Sequence, residues 1–154
     1  MKIAKKIYDE IIIKCLNMPI ETGGILGGRN NIVSSFVFDI GLDNSSIQHY
    51  FPNIDKLNAC LMYWQSNDIQ FYGIVHSHLQ KERKLSIGDL QYIRTIMLSM
   101  PKHITFLYFP IVLPRYKEII SYKAVRLKSE VSIINSNIKI INGRIESNEE
   151  NQDE

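Results

Sequence analysis

The sequence predicts an α+β fold, a mixed central β-sheet flanked by helices. Three observations lead there. Helix-like and strand-like hydrophobic periodicities alternate irregularly along the chain. Their order is helix, two strands, helix, strand, helix, then several strands, which is not a repeated βα unit. The 154 residues are 45% hydrophobic, enough for one domain with a core that needs no cross-link.

Residues 2–17 place Ile3, Ile7, Ile11 and Cys15 at four-residue steps, an amphipathic helix stopped before Pro19. ETGGILGG (21–28) reads as a glycine-rich strand. Its glycines permit either close approach of a ligand or, the simpler reading, a bend and a hairpin turn. NNIVSSFVFDIGL (30–42) is the return strand after a turn at Arg29–Asn31. Residues 43–52 are loop. A second helix occupies 52–68, with Leu57, Cys60, Leu61 and Trp64 on one face. FYGIVHSH (71–78) is a third strand, followed by the polar loop LQKERKL. SIGDLQYIRTIMLSM (86–100) is a third helix, stopped by Pro101. HITFLYF (103–109) reads as a central strand, and IISYKAVRL (119–127) and SIINSNIKII (132–141) as the closing pair. One domain thus spans 1–143. Residues 144–154 carry one Arg against five acids and read as a solvated, disordered tail.

Composition excludes several functions. The net charge is +2, with no long Lys/Arg run, so no nucleic-acid footprint is expected. No stretch of 18 apolar residues exists, and the N-terminal apolar segment is interrupted by Asp9, Glu10 and Lys14. A cytoplasmic protein without membrane attachment is expected. Cys15 and Cys60 both lie in apolar periodic segments and read as buried free thiols. His49 and His103 read as loop and core-edge residues, and Trp64 with the Tyr and Phe set as core.

The chemistry concentrates in GIVHSHLQKERKLSIGD (73–89). His76 and His78 are two apart on a strand, so both side chains face one side and Ser77 the other. Two imidazoles about 7 Å apart along a strand converge on one ion at an open strand end. A catalytic zinc takes three protein ligands, and Asp89 is the nearby third candidate. Ser86-Ile-Gly-Asp89 is also a capping box at a helix start, which needs no function to explain it.

The joint pattern adds what neither half carries. Glu21 opens the glycine-rich strand. His-x-His, seven residues, Ser, two residues and Asp follow far downstream. This set resembles the JAMM motif of the JAB/MPN zinc metallopeptidase family, in its bacterial stand-alone type, over roughly residues 5–127. One departure is Leu79, where the family often has proline. Isoleucine, at 26 residues, also resembles the usage of AT-rich bacterial genomes. Other His-x-His families fit poorly. Metallo-β-lactamase-type enzymes continue H-x-H-x-D-H, whereas Gln80 and Lys81 stand here. Amidohydrolase barrels need about 250 residues, and no H-E-x-x-H occurs.

The resemblance implies a JAB/MPN (cytidine-deaminase-like) fold and one zinc ion (Zn2+) per chain, held by His76, His78 and Asp89. It implies that Glu21 is the general base rather than a ligand, and that Ser86 supports the oxyanion. The implied reaction is hydrolysis of an amide at the C-terminal tail of a ubiquitin-like or related protein modifier. Activating and conjugating enzyme homologues encoded beside it are the implied partners. The alternative is a non-catalytic MPN scaffold; such members usually lack metal residues, and none is missing here. A relation to the RadC branch is disfavoured, because neither a basic patch nor a DNA-binding module is present.

Overall fold

The computed structural model describes residues 1–143; the acidic tail at 144–154 lies outside the described residues. The expected hairpin is present. β2 (Gly23–Arg29) and β3 (Ile32–Asp39) pair antiparallel, and Asn30 and Asn31 take the left-handed conformation that the turn requires. β4 (Gln70–Ser77) pairs antiparallel with the other edge of β2. Beyond β4 come β5 (Phe106–Tyr108) and β6 (Ile111–Leu113), both parallel to it. β7 (Glu118–Leu127) pairs antiparallel with both, and β8 (Glu130–Ser136) pairs with β7.

Three expectations are corrected here. The segment 2–17 is not one helix. Lys2–Ala4 form a short strand, β1, parallel to β3, and α1 runs only from Lys5 to Cys15. The four-residue step from Ile3 to Ile7 fits a helix, but the ladder to β3 and β9 claims Ile3. The strand expected at 103–109 is shorter and broken: Phe109-Pro110 interrupts it, and it resumes as β6, all of it buried, before Pro114. The prolines flanking β6 hid it. The segment 132–141 splits at Asn137 and Ile138 into β8 and β9 (Lys139–Ile141), and β9 pairs with β1 at the opposite end of the sheet. Only two residues link the two ends, so the sheet curls round α1 until its ends meet.

Adjacent residues sort into two cores. Leu26 and Val75 pack with Ile7, Ile11, Ile12 and Cys15 of α1. Ile25 and Ile74 pack instead with Leu57 and Trp64 of α2 (Ile54–Ser66) and Ile93 and Met97 of α3 (Ile87–Ser99). Period-two alternation therefore puts α1 on one face and α2 with α3 on the other. Ala4 gives α1 no side-chain cap. Its buried isoleucines, at roughly 1.5–3 kcal/mol each, hold it instead. At the far end of α3, Arg126 on β7 donates to the Met97 and Met100 carbonyls and so anchors that terminus. Both cysteines are free, as expected; Cys15 is buried, but Cys60 is only half-buried. No helix among the described residues is long and apolar enough to cross a membrane.

Candidate metal centre

A phase slip in β4 decides where its histidines point. Gly27 pairs with Phe71, yet Leu26 pairs with Gly73, so Tyr72 is an extra residue. Phe71 and Ile74 consequently face α2 and α3, while Tyr72 and Val75 face α1. Gly73 sits at φ +155°, and any Cβ there would run into the Tyr108 backbone. From Ile74 onward the alternation is regular, which turns His76 and His78 towards the start of α3 and Ser77 towards α1.

The N-terminus of α3 meets them. Ser86 is its N-cap: the Ser86 Oγ accepts from the Asp89 N–H at 3.0 Å, and Asp89 Oδ2 accepts from the Ser86 N–H at 2.8 Å. This expected capping box aims the Asp89 carboxylate at the strand. Its Oδ1 lies 3.3 Å from His76 Nε2 and its Oδ2 lies 3.3 Å from His78 Nε2. The two Nε2 atoms are 2.9 Å apart. His76, His78 and Asp89 therefore form a group whose ligand atoms could share one metal ion.

The donor set suits a metal on its own chemistry. His78 Nδ1 lies 3.0 Å from the Glu82 carbonyl, which can only accept, so Nδ1 carries the ring proton. With Nδ1 so committed, loss of the other ring proton leaves an Nε2 lone pair turned to the centre, the state a metal ligand needs. Burial raises the Asp89 carboxyl, but the bonds to His76 and His78 outweigh it and hold the group well below the usual carboxylate range. Burial lowers His78, but the Asp89 bond, the Glu82 carbonyl and the Asp89 and Glu21 charges together raise it.

Glu21 is close but separate. The β2–β4 register pairs Gly23 with His76, and carried two residues further it sets Glu21 opposite His78. Between them Ser77 locks the two chains. Its N–H donates to the Thr22 carbonyl at 2.8 Å, and its Oγ accepts from the Thr22 N–H at 2.9 Å. The Glu21 N–H in turn donates to the Ser46 carbonyl of the 40–53 loop at 2.8 Å. The side chain is buried, and desolvation lifts its carboxyl to about 7, with the His78 charge opposing and the Asp89 charge adding. All five expected site residues thus gather at one end of β4. Glu21 and Asp89 line two clefts there, an apolar one beside His76 and one of mostly polar residues beside His78 and Ser86.

Sequence reasoning missed other residues of this region. Tyr50, Phe51 and Tyr92, expected in the core, line the apolar cleft together with His49. Asp39 is buried and accepts from the Tyr50 hydroxyl at 2.5 Å and the Asn53 N–H at 2.9 Å, which fixes the loop. A buried aspartate inside an apolar strand was the available signal. The Glu82 carbonyl carries none, because backbone groups are the same at every position. The glycine-rich strand leads into the expected hairpin, but close packing rather than a bend accounts for its first glycine. Gly23 lies under the Tyr50 ring, 2.6 Å from where a Cβ would be, so this chain's own aromatic fills the space.

Two solved structures are similar to this one. Protein DSY2949 from Desulfitobacterium hafniense, a solution structure, has a TM-score of 0.69 at 19% identity, covering 92% of this chain and 93% of that one. AF2198, a JAB1/MPN domain protein from Archaeoglobus fulgidus, has a TM-score of 0.54 at 19% identity, covering 92% and 97%. This chain therefore has a JAB/MPN-like fold. No family model matches the sequence, and no curated protein matches it.

Proposed function

We propose that this chain is a zinc-dependent peptidase or isopeptidase, one that hydrolyses an amide at the C-terminal tail of a ubiquitin-like or related protein modifier. One observation carries the reading. Two imidazole nitrogens and a carboxylate converge within 3.3 Å of each other, on a JAB/MPN-like fold, beside a buried glutamate that is not one of the three. Three protein donors is the number a catalytic zinc takes.

His76, His78 and Asp89 would hold the ion. Zinc, when bound, acidifies a water molecule and polarises the amide carbonyl. The rest falls to the chain's own groups. Glu21, with its carboxyl lifted to about 7, accepts a proton from the attacking water near neutral pH and returns it to the leaving amine. The Ser86 Oγ accepts from the Asp89 N–H, so its own O–H can donate to the carbonyl oxygen as negative charge develops there. Glu82, through its carbonyl, keeps the His78 ring in register. An extended substrate tail suits addition to a sheet edge, where backbone bonds supply affinity. Activating and conjugating enzyme homologues are the partners such a substrate brings with it.

Metal analysis joined to turnover tests this. About one zinc per purified chain is expected, and Glu21→Gln should keep it while losing tail cleavage from a modifier fusion. A protein with no affinity for zinc would sink the proposal. Bound zinc without any cleavage by the unmutated chain would favour the scaffold reading.

A further inference from the structure

The cleft beside His76 differs from the one beside His78, and the difference specifies a substrate. We infer that the His76 cleft is a pocket for an apolar side chain of leucine or phenylalanine size, carried by a residue adjoining the cleaved amide. This rests on the proposed hydrolase reading and extends it to specificity.

Size is the first support. The cavity holds about 140 Å³. An apolar cavity of ~150 Å³ accepts a benzene ring, so a branched aliphatic or phenyl side chain fits and a glycine leaves it empty. Its walls are the second. Tyr50, Phe51, Ile74, Tyr92, Ile93 and Phe109 surround it. The Tyr50 hydroxyl is spent on buried Asp39, so it is the ring that Tyr50 offers the cavity. Asp39 also receives the Asn53 N–H, and Lys56 lies 3.8 Å away, so the wall is built before any ligand arrives. Position is the third. Glu21, His76 and Asp89 line the same cavity, so a side chain seated there places its backbone amide at the proposed reacting groups. The opposite cleft offers Gln48, Gln80, Glu82 and Ser86 instead, with Ile47 alone as an apolar side chain. It therefore suits the polar backbone on the other side of the amide.

Gly88 provides the means to test this. It lies on the first turn of α3 and lines the pocket, and a Cβ there would meet only His49 and Ser86 atoms at an ordinary 3.7 Å. Gly88→Leu should fill the cavity from its mouth without straining the backbone. The full-length zinc-loaded protein is given peptides that differ only in the residues on either side of the central amide: Gly, Leu, Phe or Lys. Leu or Phe at one of these positions should raise kcat/KM at least about tenfold over Gly and Lys, and Gly88→Leu, checked for retained zinc, should erase that ratio. In parallel, metal-free protein labelled at isoleucine methyls is titrated with N-acetyl-leucinamide and N-acetylglycinamide. The Ile74 and Ile93 methyls should shift with the first and not with the second. Cleavage without an apolar preference, or a preference that Gly88→Leu leaves intact, overturns the pocket while keeping the hydrolase. If no peptide is cut, the modifier fusion decides the hydrolase reading and the methyl titration alone decides the pocket: equal response to both amides overturns it.

Discussion

Neighbouring residues at the end of β4 meet opposite fates. Ser77 faces α1, where its Oγ accepts the Thr22 N–H and its N–H finds the Thr22 carbonyl. Both backbone polar groups of Thr22 are answered there by Ser77. His76 and His78, on either side of it, face α3 and bring two ring nitrogens up to both oxygens of Asp89. Acceptors there outnumber donors, and only a shared proton or a cation reconciles them. A buried polar contact that closes on itself holds a fold together. One that does not close marks a place where something binds.

The largest break in this contrast should come from Asp89→Ala. It removes one of three donors, so zinc affinity, measured by competition with a chromophoric chelator, should fall by more than the 10–100-fold typical of outer partners. Ser86→Ala removes the same helix cap but keeps all three donors, and should hold zinc within about tenfold at a cost of roughly 1 kcal/mol in stability. Second is Glu21→Gln, which should retain zinc and lower turnover of a cleavable fusion by roughly 10²–10⁴. Full-rate cleavage by that variant would mean that another group moves the proton. Third, Ser77→Ala strands the Thr22 N–H on the closed side of the strand. Urea unfolding should show a loss of about 1–3 kcal/mol, while zinc stoichiometry is unchanged. A matching fall in zinc content would show that the two sides are one unit.

The smallest effect concerns stability and pH. The folded state raises the Glu21 carboxyl from 4.5 to about 7, so the fold binds this proton more tightly than the unfolded chain does. The stability it contributes is present at acid pH and is lost as pH rises from about 4.5 to about 7. In chelator-treated protein, Glu21→Gln should therefore melt higher than the parent at pH 8, by about 2–4 °C for each kcal/mol recovered, and no higher at pH 4. An equal gain at both pH values would trace the effect to packing rather than to charge.

Much of this was legible in the residues. The hairpin, the His-x-His strand, the loop after it and the capped third helix all stand where local pattern put them, because each is set by neighbours in sequence. Of the positions that gather at the end of β4, His76, His78, Ser86 and Asp89 were legible as spacing along one strand, loop and helix, whereas Glu21, far upstream, was legible only through the family resemblance. What escaped depends on distant pairing. Ile3 suits a helix and a strand equally, and only β3 and β9 decide between them. The break between β8 and β9 shows only once the sheet curls. Tyr50 and Tyr92 read as core because their hydrophobicity is that of core; the cavity that exposes them is made by elements far apart in the chain.

The slip at Gly73 gives the site a dependence on residues that never touch it. Whether the histidines look towards α3 or towards α1 is a matter of counting, and the count is set by one supernumerary residue, Tyr72. Replacing Gly73 with alanine puts a methyl group into the Tyr108 backbone. If the strand relieves that by giving up its extra residue, every later side chain changes sides. Ser77 would then occupy the place of the imidazoles, and all three candidate metal donors would still be in the chain, two of them facing the wrong core. The centre is in this sense written in parity as much as in residue identity, and an insertion or deletion within β4 ahead of the histidines is as damaging to it as the loss of a candidate ligand.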